Sequence, residues 1–544
     1  MRITNKIMQR NNLSNINTNK ILEDKLTSQL SSEKKIIRPS DDPVIAIRAL
    51  RLRTNVTEVT QYYSKNIPDA ESWLKVTEDA LSSLSSIITS CQNDCTKAAN
   101  GDLTSSDRNT IIEELKAFAS EIYKTGDADY AGRYVFAGYR TDTSLSFQKQ
   151  TEMRYQLTEQ LDRTAIDSVT HVDMGEVATW TAVNYNDTDH KGIVEQQIKE
   201  STCYRFRLSY SDLDSMDDYR SDMLQYDDGT GADPKPYVAK PMIQYYDDAS
   251  GNIQTIDTMT EIKSTDDPYS QVGIDDVIYV PDTGEILLGT NVYNKLMGTK
   301  DDAATGDTDE SKIMITYQKT EFTADNLRPQ HFFSCASIEC TRDTAGNLVE
   351  DTSTYLRYNE DYLDTTLERQ AIEYDVGFNT TIRVNSTADE CFKLGIGREI
   401  DDLVNSMQAV VNLETTIADI EKKISSTTDD TLKTLQNQLD AANKAFTYQK
   451  DIAQKRFEKG ITAMQGFLND TSLAITNNGT RSSKLSLIEA RLQNQKTTFE
   501  TLQSENEDID ITEVAINLES ASTTYEAALM ATSKIMQNTL LNYL

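Results

Sequence analysis

Residues 511–544, ITEVAINLESASTTYEAALMATSKIMQNTLLNYL, set Ile511, Val514, Leu518, Ala521, Tyr525, Leu529, Thr532, Met536, Leu540 and Tyr543 at steps of three and four, with Leu541 and Leu544 beside the stripe. That spacing keeps one side of an α-helix apolar and predicts a long helix running almost to the last residue. The same step pattern recurs near the other end. Ala70, Leu74, Thr77, Leu81, Leu84, Ile88, Cys91, Cys95 and Ala98 form one seam, Ile45, Ala49, Leu52, Val56, Val59 and Tyr63 another, and Ile111, Leu115, Phe118 and Ile122 a third. Residues 399–424 and 430–468 read as two long helices separated by Ser-Ser-Thr-Thr-Asp-Asp, and 483–505 as another. Helices of this length are not stable alone and must pack on one another. The fold class expected is α+β multidomain, with a long helical coiled coil or bundle built from both chain ends.

The first 35 residues carry a weaker stripe of Ile3, Ile7, Leu13, Ile16, Leu22, Leu26 and Leu30 on an Asn-rich background. Such a segment is expected to be disordered in the free chain and ordered only against a partner helix, for which the last helix is the natural candidate. Between this segment and the seam at 45–63 lies Arg38-Pro39-Ser40-Asp41-Asp42-Pro43. Either Asp can cap the amides of a first turn, and Pro43 suits an early helical position because its missing donor is not needed there.

The centre has a different character. The chain of 544 residues carries 54 Lys+Arg and 87 Asp+Glu, a net charge of −33, of which −28 lies in residues 141–390. That segment also holds 12 of the 21 glycines and 17 of the 26 tyrosines. Three stretches, MIQYYDDASGNIQTI (242–256), DDVIYVPDTGEILLG (275–289) and SIECTRDTAGNLVED (337–351), share a strand-like run, a turn with Gly two or three residues after an Asp, and a second run. This is a hairpin signal, since Gly accepts positive φ and Asp bonds its own turn backbone. AIEYDVGFNTTIRVNS (371–386) reads as a fourth hairpin. An antiparallel β-rich insertion is expected. The domains are then 1–44 with 509–544 as a terminal helical pair disordered until assembled, 45–147 with 391–508 as a helical bundle, and 148–390 as an acidic outer insertion.

Composition and motifs exclude several function classes. A surface this acidic repels nucleic acid and anionic lipid, so neither is an expected partner. The opening MRITNKIMQRNNLSNINTNK lacks the apolar core of a secretory signal, and no apolar run approaches the roughly 18 residues that cross a bilayer. Cys91, Cys95, Cys203, Cys335, Cys340 and Cys391 are too sparse for a disulfide framework. Cys91 and Cys95 lie one turn apart but have no nearby His, and both fall on a helical seam, which favours core packing over zinc. With only His171, His190 and His331, and no His-Glu-x-x-His, phosphate loop or Gly-x-Ser-x-Gly, no enzyme, cofactor or metal site is expected. Asp227-Asp228 and Asp301-Asp302 do not match a calcium loop and read as solvated turns.

SSEKKIIRPSDDPVIAIRAL (31–50) resembles a Ser-x-Gly-Lys-x-Ile-x-Arg-Pro-Ser-Asp-Asp-Pro stretch of the flagellin family, in the form found at the hook–filament junction. Glu33 stands where that family often has Gly. DADYAGRYVFAGYRTDTSLSF (127–147), with Phe136, Ala137 and Gly138, resembles a second stretch of that form. NEDIDITEVAINLESASTTYEAALMATSKIMQNTLLNYL (506–544) resembles its terminal helix, including a Leu-Leu-x-Tyr-Leu ending where flagellins more often end in Leu-Leu-Arg. The resemblance covers roughly 1–147 and 370–544. It implies a non-enzymatic structural subunit, exported through the flagellar type III channel without a cleaved signal, guided by a chaperone on the C-terminal helix. It further implies a homo-oligomeric ring between hook and filament, touching a neighbouring hook-associated protein and flagellin. The competing expectations are a filament-forming flagellin and an adhesin or enzyme carried by the insertion, for which 148–369 offers no family resemblance.

Overall fold

The structure, a computed structural model, describes residues 5–219, 240–247, 252–298, 312–344, 348–359, 370–428 and 431–537. Helices α1 (Asn5–Ser32), α2 (Pro43–Gln61), α3 (Ile67–Ala99) and α4 (Ser105–Lys124) come first. A short hairpin, β1 (Asp129–Tyr130) and β2 (Arg133–Tyr134), leads to β3 (Thr151–Leu161) and β4 (Ile166–Asp173). After the helical turn α5 (Thr188–Lys191) follow β5 (Lys199–Arg207), β6 (Met242–Asp247), β7 (Asn252–Ile256), β8 (Thr260–Glu261), β9 (Val277–Val280) and β10 (Glu285–Leu288). Helix α6 (Thr290–Met297) precedes β11 (Ile313–Phe322), β12 (Ser334–Arg342), β13 (Leu348–Tyr358), β14 (Glu373–Gly377) and β15 (Thr380–Arg383). The chain closes with the turn α7 (Ala388–Cys391) and helices α8 (Gly395–Ser426), α9 (Leu432–Glu507) and α10 (Ile511–Gln537). This is the α+β arrangement expected, with long helices from both chain ends and a β-rich centre.

The residues form two compact units, one from the described residues of 1–71, 374–382 and 482–544, the other from those of 72–373 and 383–481. Helix α3 buries its whole seam from Ala70 onward, with the part from Leu74 on, and Trp73, in the larger unit. The thiols of Cys91 and Cys95 sit in that seam, and burial pushes both up to about 12, so they pack as small apolar groups. Gly460 of α9 lets three helices close up: a Cβ there would stand 3.0 Å from Leu403 of α8 and 3.4 Å from the sulfur of Cys95. Helix α4 starts with a capping box in which Thr104 and Asp107 bond each other's backbone. Its far end is tied to α8 by Tyr123, whose hydroxyl donates to the Leu394 carbonyl at 3.0 Å and accepts from Gly397 N at 2.9 Å.

Among the described residues, two large sheets, beside the two-stranded β1–β2 and β14–β15, make up the β-rich part. One runs β4-β5-β10-β9-β8 and the other β13-β12-β3-β11-β6-β7. Among the described residues the named pairings are antiparallel except β8 with β9. Strand alternation sends Phe206, Val277, Tyr279, Ile286 and Leu288 of the first sheet and Leu157, Ile243, Ile313, Ile315 and Tyr317 of the second into one buried cluster, so the sheets pack face to face. All four expected hairpins are present, as β6–β7, β9–β10, β12–β13 and β14–β15. A second apolar cluster joins Val172, Val177, Trp180, Ile193 and Ile198 to Leu413 and Ile420 of α8 and Leu435, Ala441, Ala442 and Ala445 of α9.

One helical expectation is corrected. Residues 430–468 and 483–505 are not two helices: α9 is continuous over 76 residues, about 114 Å at 1.5 Å per residue. The Asn477-Asn478-Gly479 stretch reads as a break because each residue is a poor helix former. Packing overrides it. Asn478 is fully buried and donates Nδ2 to the Leu74 carbonyl of α3 at 2.9 Å, and Thr471 and Ala474 are buried on the same length of helix. No helix among the described residues is long and apolar enough to cross a membrane.

Candidate assembly interface

The smaller unit brings the two chain ends together. Helices α1 and α10 lie side by side, and because the end of α1 meets the start of α10 they run antiparallel. The junction is a bridge between Lys34 and Asp508: Lys35 N donates to the Glu507 carbonyl at 2.7 Å, and Ile509 N donates to the Glu33 carbonyl at 3.2 Å. Charge reinforces it. Lys34 pairs with Asp508, and hydrogen bonding from its ammonium, with that of Ser504, holds the Asp508 carboxyl below the usual range. Glu507 is buried and accepts Nε of Arg53 in α2 at 2.8 Å, with Lys34 Nζ 3.8 Å away. Asn506 Nδ2 donates to the Ile45 carbonyl at 3.2 Å, so α2 is fixed to the same point. This clamp was not foreseen from sequence. Its signal is the complementarity of Glu-Lys-Lys at 33–35 with Glu-Asn-Glu-Asp at 505–508.

The Arg38–Pro43 stretch forms a turn leading into α2. Asp41 Oδ2 accepts from Arg38 N at 2.9 Å and Ile37 N at 3.3 Å, and the Arg38 amide first of all lowers its pKa. Asp42 Oδ1 caps α2 by accepting from Val44 N and Ile45 N, with Pro43 at the first helical position; Pro39 and Ser40 are exposed. Glu33 has a left-handed backbone, φ 58°, a conformation that Gly adopts without cost. Phe136, Ala137 and Gly138 belong to the larger unit. Phe136 meets Phe392 edge-on at 4.9 Å, Ala137 is buried, and Gly138 holds φ +62° where a Cβ would run into the Gln370 side chain.

Of the stripe residues, Leu26 and Ala521 are buried, and Leu30, Leu518 and Tyr525 are half-buried. Ile7, Leu22 and Leu529 are 50%, 47% and 43% exposed. Met536 lies in the last described turn of α10, while Ile3, Leu540, Leu541, Tyr543 and Leu544 fall outside the described residues. The pair therefore satisfies only part of its apolar surface. Met8, Leu13 and Ile21 of α1, Ile511, Ile516 and Met530 of α10, and Val44, Ile47 and Leu50 of α2 are also exposed. Scattered exposed apolar residues are ordinary, but this many on three helices of one small unit amount to a surface that gains free energy by being covered.

Residues 3–141 match the model of the bacterial flagellin N-terminal helical region. The flagellar hook-associated protein 3 of Salmonella typhimurium is 30% identical to this chain over 145 residues, 26% of this chain and 45% of that protein. Its Escherichia coli namesake is 28% identical over 145 residues, with the same shares. The alignments thus span under half the length of these curated relatives. Among solved structures, flagellar hook associated protein-3 from Legionella pneumophila aligns over 84% of this chain and 97% of its own at 9% identity and a TM-score of 0.28. FlgL from Xanthomonas campestris aligns over 82% and 98% at 11% identity and a TM-score of 0.26.

Proposed function

We propose, from the likeness of residues 3–141 to the flagellin N-terminal region and of 145 residues to hook-associated protein 3, that this chain is a structural subunit of the bacterial flagellum. It forms the junction between hook and filament by self-assembly of its terminal helices. The observation that carries the reading is the antiparallel α1–α10 pair, clamped at Lys34, Arg53, Glu507 and Asp508 and left with apolar side chains uncovered. Residues 1–44 and 509–544 settle into a fixed arrangement only when neighbouring subunits bury the remaining stripe. Each large side chain that becomes fully buried there contributes about 1.5–3 kcal/mol. In this reading 45–147 with 391–508 form a helical bundle domain and 148–390 an acidic, β-rich insertion.

The partners of this reading are further copies in a ring, a hook-associated protein on one side and flagellin on the other. The chain reaches the cell exterior through the flagellar type III channel with a chaperone on its C-terminal helix, and it catalyses no reaction. The assembly contacts are Ile3, Ile7, Leu22, Leu26, Leu30, Leu518, Tyr525, Leu529, Met536, Leu540, Leu541, Tyr543 and Leu544. Removing residues 535–544 tests this directly: the β-rich part keeps its fold by circular dichroism and limited proteolysis, while incorporation into hook–filament junctions is lost. Normal junctions built from the truncated chain would refute it.

A further inference from the structure

We propose that the outer face of α2 in one copy of this chain packs against the outer face of α10 in a second copy. The inference rests on the reading of self-assembly through the terminal helices and deepens it, using side chains outside the assembly contacts named above.

Helix α2 is two-sided. Ala46, Ala49 and Val59 are buried, and Arg53 and the Ile45 carbonyl fix that side to Glu507 and Asn506. On the opposite side Val44, Ile47 and Leu50 are each more than half exposed. Three large aliphatic side chains within seven residues form a patch rather than scattered contacts with water. Arg48 and Arg51 follow Val44 and Ile47 by four residues, so each lies beside one of them on the helix surface. Both are exposed, and among the described residues neither forms an ion pair.

Helix α10 carries the matching surface. The buried Ala521 and half-buried Leu518 and Tyr525 share one side. On the other, Ile516, Thr523 and Met530 recur every seven residues and are exposed, with Glu519 and Glu526 three residues after Ile516 and Thr523. These two carboxylates are exposed and likewise form no ion pair among the described residues. The helices are opposite in charge: α2 has Arg48, Arg51 and Arg53 against Glu58, and α10 has Glu513, Glu519 and Glu526 against Lys534.

Charge selects the pairing. Two α2 faces would set arginine against arginine, and two α10 faces glutamate against glutamate, whereas α2 against α10 joins opposite charges beside apolar stripes. Within one chain both faces stay uncovered, so the partner is another copy. Covering the aliphatic side chains supplies the gain, and the charges fix partner and register. Because two different surfaces meet, the contact is head-to-tail and closes into a ring when its rotation allows.

The test adds full-length chains to isolated flagellar hooks and reads the amount bound by sedimentation. R48E/R51E and E519R/E526R, all at exposed positions, should each need about tenfold more chain to half-saturate the hooks, with far-ultraviolet circular dichroism unchanged. An equal mixture of the two variants should bind nearly as well as the unmodified chain, because each altered face then meets its complement on the other variant. No binding by the unmodified chain removes the junction reading and this inference with it. Binding by the unmodified chain with the double variants unimpaired, or impaired variants that mixing does not restore, overturns this inference alone.

Discussion

Glu33 shows how much one backbone angle can carry. Its φ of 58° lets its carbonyl accept from Ile509 N, so the turn that aligns α1 with α10 rests on a residue in a conformation that favours Gly. Glu33→Gly should leave stability unchanged or raise it by up to about 1 kcal/mol, while Glu33→Val should cost about 1 kcal/mol or more, read from urea unfolding. Asp402 is the opposite case. Burial alone would raise its pKa, but Arg205, Arg207 and Arg456 outweigh burial and bring it down to about 2. Asp402→Asn leaves three guanidinium groups short of their shared carboxylate and should cost about 3–5 kcal/mol in urea unfolding. Acid stability separates two residues. His331 is buried near Arg140 and Arg328, and its pKa falls to about 4, chiefly through burial. An unfolded His titrates near 6.5, so the unfolded chain takes the proton first and stability falls as pH drops from about 6.5 to 4. Asp402 then removes stability as pH falls from about 4 through 2. His331→Gln should flatten the upper stage and leave the lower, measured as urea midpoints at pH 7, 5 and 3.

At the scale of elements, sequence patterns served best where the physics is local. The seam of α3 is buried from Ala70 to Ala98 as its steps of three and four require, and the strands on either side of each expected hairpin turn pair antiparallel. The long central strands β3 and β11 carry no such turn. Their pairing joins Thr158 to Thr316, a separation only the fold closes, and so was not legible. The same holds for α9, where a buried Asn478 held by α3 overrides a local break, and for the clamp linking Arg53 to Glu507. Of the assembly stripe, the sequence showed the periodicity but not which members the α1–α10 pair already covers. Leu26 is 8% exposed and marks the covered side. Leu26→Ala should lower the stability of the terminal unit by about 2 kcal/mol, whereas Ile7→Ala should change it little and instead weaken assembly. Hydrogen exchange within the assembled form and the extent of assembly by sedimentation distinguish the two effects.

Across the whole molecule, the acidic charge is concentrated in the centre, and half of the exposed large apolar side chains among the described residues lie on α1, α2 and α10, although Val183, Ile253 and Ile274 of the centre are exposed as well. Residues 141–390 carry −28 of the net −33, while the exposed apolar side chains of α1, α2 and α10 belong to the smaller unit. A chain so divided is expected to associate through its ends and to keep its acidic centre in water, where like charge opposes further stacking. That expectation leads to limited assembly rather than indefinite growth. The most direct measurement is to add purified full-length chain to isolated flagellar hooks and follow the mixture by sedimentation and electron microscopy. The junction reading predicts a soluble monomer with protease-sensitive ends that caps hooks without lengthening them, and long filaments growing from the seeds would contradict it.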